Sequence, residues 1–252
     1  MTSDTKQKVH DPTSPNHPVE GEWARPVKKL ATADIPPQAI NTNVAGMQLA
    51  GPTTGFGQLW RKTYRVRLEG AAVTPEEVVA RWKVKYPTYW PKSGRFYAPK
   101  AKIEPGEVAV INLSGPGGLP ISTGVMVIYS DDESFAFMTP QGHPFSGIIT
   151  YGSEADGETT AAQIQVLVRA SDPIFEMSAR MGIAHKSEDA FWEATLLNLA
   201  VDWGVSGQSV VRTDELMDDK VQWGKLGNVW HNSAIRTTIY LPVHAVKRLT
   251  GK

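Results

Sequence analysis

Cysteine is absent from all 252 residues, which excludes a disulfide scaffold, a thiolate nucleophile and any zinc site built on sulfur. An excess of one charge is missing too. The 26 basic side chains are matched by 26 acidic ones, so the overall charge gives no support for a nucleic-acid partner, which would need a basic face. Nowhere is there an uncharged apolar run of the ~18 residues that a bilayer-spanning helix requires. The opening MTSDTKQKVHDPTSPNHPVEGEW holds no apolar stretch of signal-peptide length, and the expectation is a soluble, cytoplasmic protein. Histidine is sparse. His10, His17, His143, His185, His231 and His244 include no i, i+4 pair and no H-E-x-x-H, so neither a metal nor another cofactor is expected. G-x-S-x-G is also absent. The glycine-rich SGPGGLPISTG lacks a P-loop lysine and runs into another strand, as a hairpin turn does.

What is present changes character along the chain. Residues 1–57 hold seven of the 18 prolines and few large apolar residues, and read as an extended proline-rich arm, free or laid across a surface. In the second case Trp23, Ile35 and Ile40 are its anchors. In WRKTYRVRLEG, Trp60, Lys62, Tyr64, Val66 and Leu68 alternate with Arg61, Thr63, Arg65 and Arg67, the pattern of a half-exposed strand. The three arginines make a small basic stripe, which a solvated outer face explains as well as an anionic partner does. TPEEVVARWKVKY follows, with Thr74 as N-cap, Pro75 at the first helical position and Glu77 completing a capping box. Pro87 and Pro91 stop this helix and leave an aromatic loop, YPTYWPKSGRFY.

Strands are expected over 107–113, 121–129, 134–138, 147–151 and 160–169, joined by tight turns at GPGG and Asp131-Asp132, as in an antiparallel meander. Then comes SEDAFWEATLLNLAVDWG. Its Trp192, Leu196, Leu199 and Trp203 form an apolar stripe at helical spacing, Ser187 reads as the N-cap and Gly204 as the stop. Residues 205–252 read as a C-terminal extension, a strand over 234–241 and a short helix over 243–249.

This order of elements resembles the helix-grip fold of the START-like (SRPBCC) superfamily, an α+β fold whose curved antiparallel β-sheet wraps around a long C-terminal helix. Two stretches carry the resemblance, YRVRLEGAAVTPEEVVARW, and DDESFAFMTPQGHPFSGIITYGSE followed by AFWEATLLNLAVDWG. The G-H-P-x-x-G element is similar to one in an uncharacterised branch of that superfamily. The resemblance covers 58–204. The arm and the 48-residue extension have no counterpart in the minimal fold, and would plug or extend a cavity. What it implies is a fold and a class of ligand, a hydrophobic small molecule or lipid; it implies no reaction.

Candidate site residues follow. Trp82, Tyr86, Tyr89, Trp90, Phe96, Phe135, Phe137, Phe145, Trp192 and Leu196 are large apolar groups able to line a pocket, or equally to fill a core. His143, in the GHPFSG element, is placed to orient a polar ligand end or to act as acid and base, or else to pin its own turn. Three functions stay open. The first is binding of a hydrophobic molecule. The second is a cyclase, dehydratase or hydrolase using His143 in the same cavity. The third is a homo-oligomer assembled through the arm or extension around a solid core.

Overall fold

The structure, a computed structural model, describes residues 22–32, 35–36, 39–97 and 103–250, the side chains of 116 and 243–250 excepted. The rest of the expected arm lies outside the described residues.

Strand β1 (Leu59–Arg67) turns Lys62, Tyr64 and Val66 inward, as the alternation requires. Helix α1 (Pro75–Lys85) starts at the capping box, in which the Glu77 amide donates to Thr74 Oγ1 and the Thr74 amide to Glu77 Oε2. A 3-10 turn over Tyr86–Tyr89 then leads to β2 (Gly94–Tyr97), a strand inside the segment expected to be an aromatic loop. Pairing with the next strand overrides the local proline signal there: Gly94–Tyr97 lie opposite Leu113–Val110. The meander continues through β3 (Val108–Ser114), β4 (Pro120–Ser130), β5 (Ser134–Met138), β6 (Phe145–Asp156) and β7 (Thr159–Ala170).

All neighbours are antiparallel, in the order β2-β3-β4-β5-β6-β7-β1-β8, where β8 spans Val211–Asp218. The first strand pairs with β7 and so extends the sheet beyond the last strand of the meander, with β2 and β8 as its two edges. The result is an α+β helix-grip arrangement, a curved antiparallel sheet holding the long helix α3 (Ile183–Asp202) against β1 and β7. Trp192, Leu196 and Leu199 are buried between them with Tyr64, Ile164 and Val166. Each such burial stabilises by about 1.5–3 kcal/mol before ordering costs.

Two expectations are corrected. Helix α3 begins at Ile183, capped by Gly182 at φ 73, so Ser187 sits inside the helix and not at its N-cap. That left-handed glycine separates it from a helix the sequence did not disclose, α2 (Pro173–Arg180), capped by Asp172. Residues 234–241 form no strand; they belong to α4 (Ser233–Thr250), which runs through Pro242. The β-branched Ile235, Thr237, Thr238 and Ile239 mimic a strand, but Asn232 Oδ1 accepts from the Ile235 amide and the buried Thr237 hydroxyl accepts from the Ser122 amide. The strand of this region is β8, whose exposed Arg212, Asp214 and Glu215 suit an edge.

The described part of 22–47 lies on the opposite face of β3 and β4, whereas Ala50 and Phe56 give their amides to the Thr139 and Ala170 carbonyls at the ends of β5 and β7. Leu30, Ala39 and Val44 pack on that face against Val108, Val110 and Met126, with Ile35 alongside. Trp23 bridges to Tyr129, their ring centroids 4.6 Å apart. Ile40 is held by its backbone, which gives its amide to Asn112 Oδ1 at 3.1 Å and takes the Asn112 amide at 3.0 Å. Strand β3 is therefore buried on both faces from Val108 to Ile111.

Gly142 of the GHPFSG element supports α4 directly. Its φ is +87, and an added Cβ would lie 2.0 Å from the His231 carbonyl oxygen, while the Ser233 amide donates to the Gly142 carbonyl. Backbone cannot yield as a flexible side chain would. Gly142→Ala is expected to lose about 2–4 kcal/mol in urea denaturation, whereas the same change at Gly106, which meets nothing within 4 Å, costs less.

Candidate ligand cavity

Curvature leaves a gap that α3 does not fill. Between strands β3–β7 and the N-terminal half of α3 lies a partly open cavity of about 500 Å³. Ile111, Leu113, Val125, Phe137, Ile149, Tyr151 and Val168 form its sheet wall; Ala184, Ser187, Glu188, Phe191 and Trp192 of α3 face them. Helix α2 supplies Ile174, Phe175 and Ser178, and α4 supplies Ala234, Ile235, Thr238 and Ile239. The α2 and α4 starts are joined by their caps. Asp172 Oδ1 accepts from the Ile174 and Phe175 amides, while its Oδ2 accepts from Asn232, the residue that caps α4.

Few polar groups reach this space. His143 is buried, with Nδ1 2.8 Å from the Phe145 carbonyl oxygen and 3.1 Å from the Phe145 amide nitrogen. Burial pushes its pKa down to about 4, against the opposing pull of the Phe145 carbonyl and the Glu188 charge, so the ring is neutral at pH 7. Pinning of the turn and a cavity-facing position therefore coexist in one residue. Glu188 is the acidic side chain on the wall. Lys62, only 2% exposed, reaches from β1 to Glu188 Oε2 at 3.0 Å and Asp189 Oδ1 at 2.8 Å. Tyr64 donates to the same Asp189 oxygen at 2.7 Å, and Arg212 of β8 to the other at 2.6 Å. Burial alone would lower the Lys62 pKa, but Glu188 and Asp189 outweigh it and hold the ammonium above its ordinary range.

No family model and no curated protein matches the chain. Solved structures with some likeness include protein Ms6760 from Mycobacterium smegmatis, at 13% identity and TM-score 0.39, over 56% of this chain and 88% of that one. The di-domain ARO/CYC StfQ from the steffimycin biosynthetic pathway has 12% identity and TM-score 0.45, over 57% of this chain and 50% of its own. Major latex-like protein 151 from Panax ginseng has 11% identity and TM-score 0.35, over 54% and 99%. The helix-grip assignment stands on the strand order and on α3 themselves.

The expected aromatic residues divide into two groups. Tyr86, Trp90, Phe137, Phe145 and Trp192 line the cavity, as does His143. Trp82, Tyr89, Phe96, Phe135 and Leu196 lie behind it, packed in the core. Phe135 stacks on Tyr151 at 4.7 Å, Trp82 meets Tyr151 edge-on at 5.4 Å, and Phe96 meets Tyr86 at 4.9 Å. Tyr89 turns its hydroxyl out to Asp202 at 2.9 Å. Sequence reasoning missed Tyr151, Phe191 and Glu188. Tyr151 ends an expected strand and Phe191 precedes the apolar stripe, signals that were present but not distinctive. Glu188 lies in the second turn of α3, turned toward Lys62. The basic stripe is paired, Arg61 with Glu215, Arg65 with Glu154 and Asp156, and Arg67 with Asp156. Among the described residues no group of three acids or histidines is placed to hold a metal.

Because the folded ring titrates near 4 and the unfolded one near 6.5, the unfolded chain takes up a proton in that window that the folded chain refuses. His143 stability is thus fully present above 6.5, falls as pH drops toward 4 and levels off below it. Comparing His143→Gln with wild type by urea denaturation, the variant should escape about 3 kcal/mol of this acid-induced loss. Equal pH slopes would show a solvated ring.

Proposed function

We propose that the protein binds a hydrophobic small molecule or lipid in the cavity between the sheet and α3. The observation that carries this reading is the apolar gap of about 500 Å³, which falls within the ~300–1,000 Å³ of small-molecule pockets. A solid interior would have left no such room, and the self-association reading has lost that support. Removal of apolar ligand surface from water drives binding at about 25 cal/mol per Å², before ordering costs. Tyr86, Trp90, Phe137, Phe145 and Trp192, with Tyr151 and Phe191, form the contact wall. A polar ligand end is oriented by His143 or Glu188, and the Trp192 indole N–H, buried without a partner among the described residues, suits a ligand oxygen. The affinity with the START-like superfamily, and with a branch carrying G-H-P-x-x-G, belongs to the same proposal.

A second reading, acid–base catalysis in this cavity, has one supporting observation: the neutral His143 ring and the Glu188 carboxylate both face the space where a substrate would lie.

Titration with an apolar solvatochromic dye, together with native mass spectrometry of protein purified without denaturation, tests the binding reading. Wild type should bind the dye, and Ala184→Trp, which places an indole in the cavity, should weaken it by at least about tenfold while keeping its melting transition. Absence of dye binding and of any co-purified ligand, or equal binding by the variant, would overturn it.

A further inference from the structure

The cavity mouth continues into an exposed apolar surface. Ile174, Ile235 and Ile239 line the cavity yet are also open to solvent, as is Leu119 at the β3–β4 hairpin. From Ile174 the surface extends along α2 at i, i+3, i+7 through Met177, 60% exposed, and Met181, 67% exposed. On the other side Ile235 and Ile239 stand at i, i+4 on α4, Ile239 being 71% exposed. Trp230, just before α4, is 80% exposed. Large contiguous apolar patches on a folded chain mark an interaction site.

The described charged side chains of the 3-10 turn and α4 are basic, Lys225 and Arg236. Within α2, the 3-10 turn Trp223–His231 and α4, the one acidic side chain is Glu176, which is buried and pairs with Arg180 at 2.7 Å. Arg180, Lys186 and Lys225 are exposed. Apolar side chains flanked by basic ones match the boundary of an anionic bilayer, where acyl chains lie beneath negative headgroups. A second copy fits less well, since a two-fold contact through this face would set basic side chains against each other.

We propose that the surface formed by α2, the 3-10 turn and α4 docks on an anionic phospholipid bilayer. Met177, Met181 and Ile239 enter the headgroup–acyl boundary, and the cavity mouth opens toward the lipid. This deepens the cavity reading, for it assigns the route by which an apolar ligand enters without crossing water. The two can fail separately, because dye added from solution tests the cavity with no membrane present.

The experiment is co-sedimentation of the full chain with phosphatidylcholine vesicles, with and without phosphatidylserine. Sedimentation should depend on phosphatidylserine and weaken with added salt. Met177→Glu/Met181→Glu should reduce it by at least about tenfold while dye binding persists. Lys186→Glu/Lys225→Glu, at exposed positions, should reduce it as well and covers the case in which the first variant fails to fold. Sedimentation indifferent to phosphatidylserine, or unchanged in both variants, overturns the proposal. So does light scattering that finds a dimer dissolved by Met177→Glu/Met181→Glu, which would assign the face to a second copy.

Discussion

One buried ammonium ties the molecule's helix to its sheet. Lys62 lies on the inward face of β1, where the strand alternation would otherwise place an apolar residue, and it meets Glu188 and Asp189 on α3 at 3.0 and 2.8 Å. Such a pair gains little over an apolar contact of the same size, because desolvating the charges costs about what their attraction returns. Its consequence is positional. Once the lysine is inside, the two carboxylates have to be beside it, so the rotation of α3 about its axis and its height along β1 are set together. Arg212 from β8 and the Tyr64 hydroxyl complete the shell around Asp189.

The other end of α3 is held in a similar way, at the surface. Asp202 takes Lys85 at 2.7 Å and the Tyr89 hydroxyl at 2.9 Å, and the Arg81 guanidinium lies 3.4 Å from the Trp203 ring centroid. A helix fixed at two points over a curved sheet touches it along β1 and β7 and stands away from β3–β6. The cavity is that separation. It stays open because the aromatic side chains nearest to it are engaged with each other: Tyr86 and Tyr151 share a hydrogen bond at 2.7 Å, and Phe191 meets Trp90 at 4.9 Å. Rings locked in edge-to-face contacts do not swing inward to fill a void.

Legibility in the sequence varied with the range of the interaction responsible. The Thr74–Glu77 capping box, the hairpin at GPGG and the turn at Asp131 depend on contacts within a few residues, and each appears where the residues indicated it. Elements were misread where local signals competed or where a distant partner took part. Residues 234–241 carry strand-forming side chains, yet their cap comes from Asn232 and their anchor from Ser122, and these make them helical. Ser187 looks like an N-cap by type, but Gly182 had already started the helix. The candidate site divided in the same manner. Aromatic residues were recognised as a set, while the split between wall and core, Tyr86 against Phe96, followed from which way each ring faced once the sheet had curved.

By itself, then, the sequence determined the antiparallel meander, the first capped helix and the apolar stripe of the long helix, because hydrophobic period and capping chemistry are local properties of a chain. Tertiary structure alone decided that Glu188 belongs to Lys62, that the described stretch of 22–47 covers the outer face of β3 and β4, and that α2 and α4 frame the mouth of a cavity. Those outcomes join residues tens to hundreds of positions apart, and no pattern of neighbours encodes which distant surfaces a curved sheet will bring together.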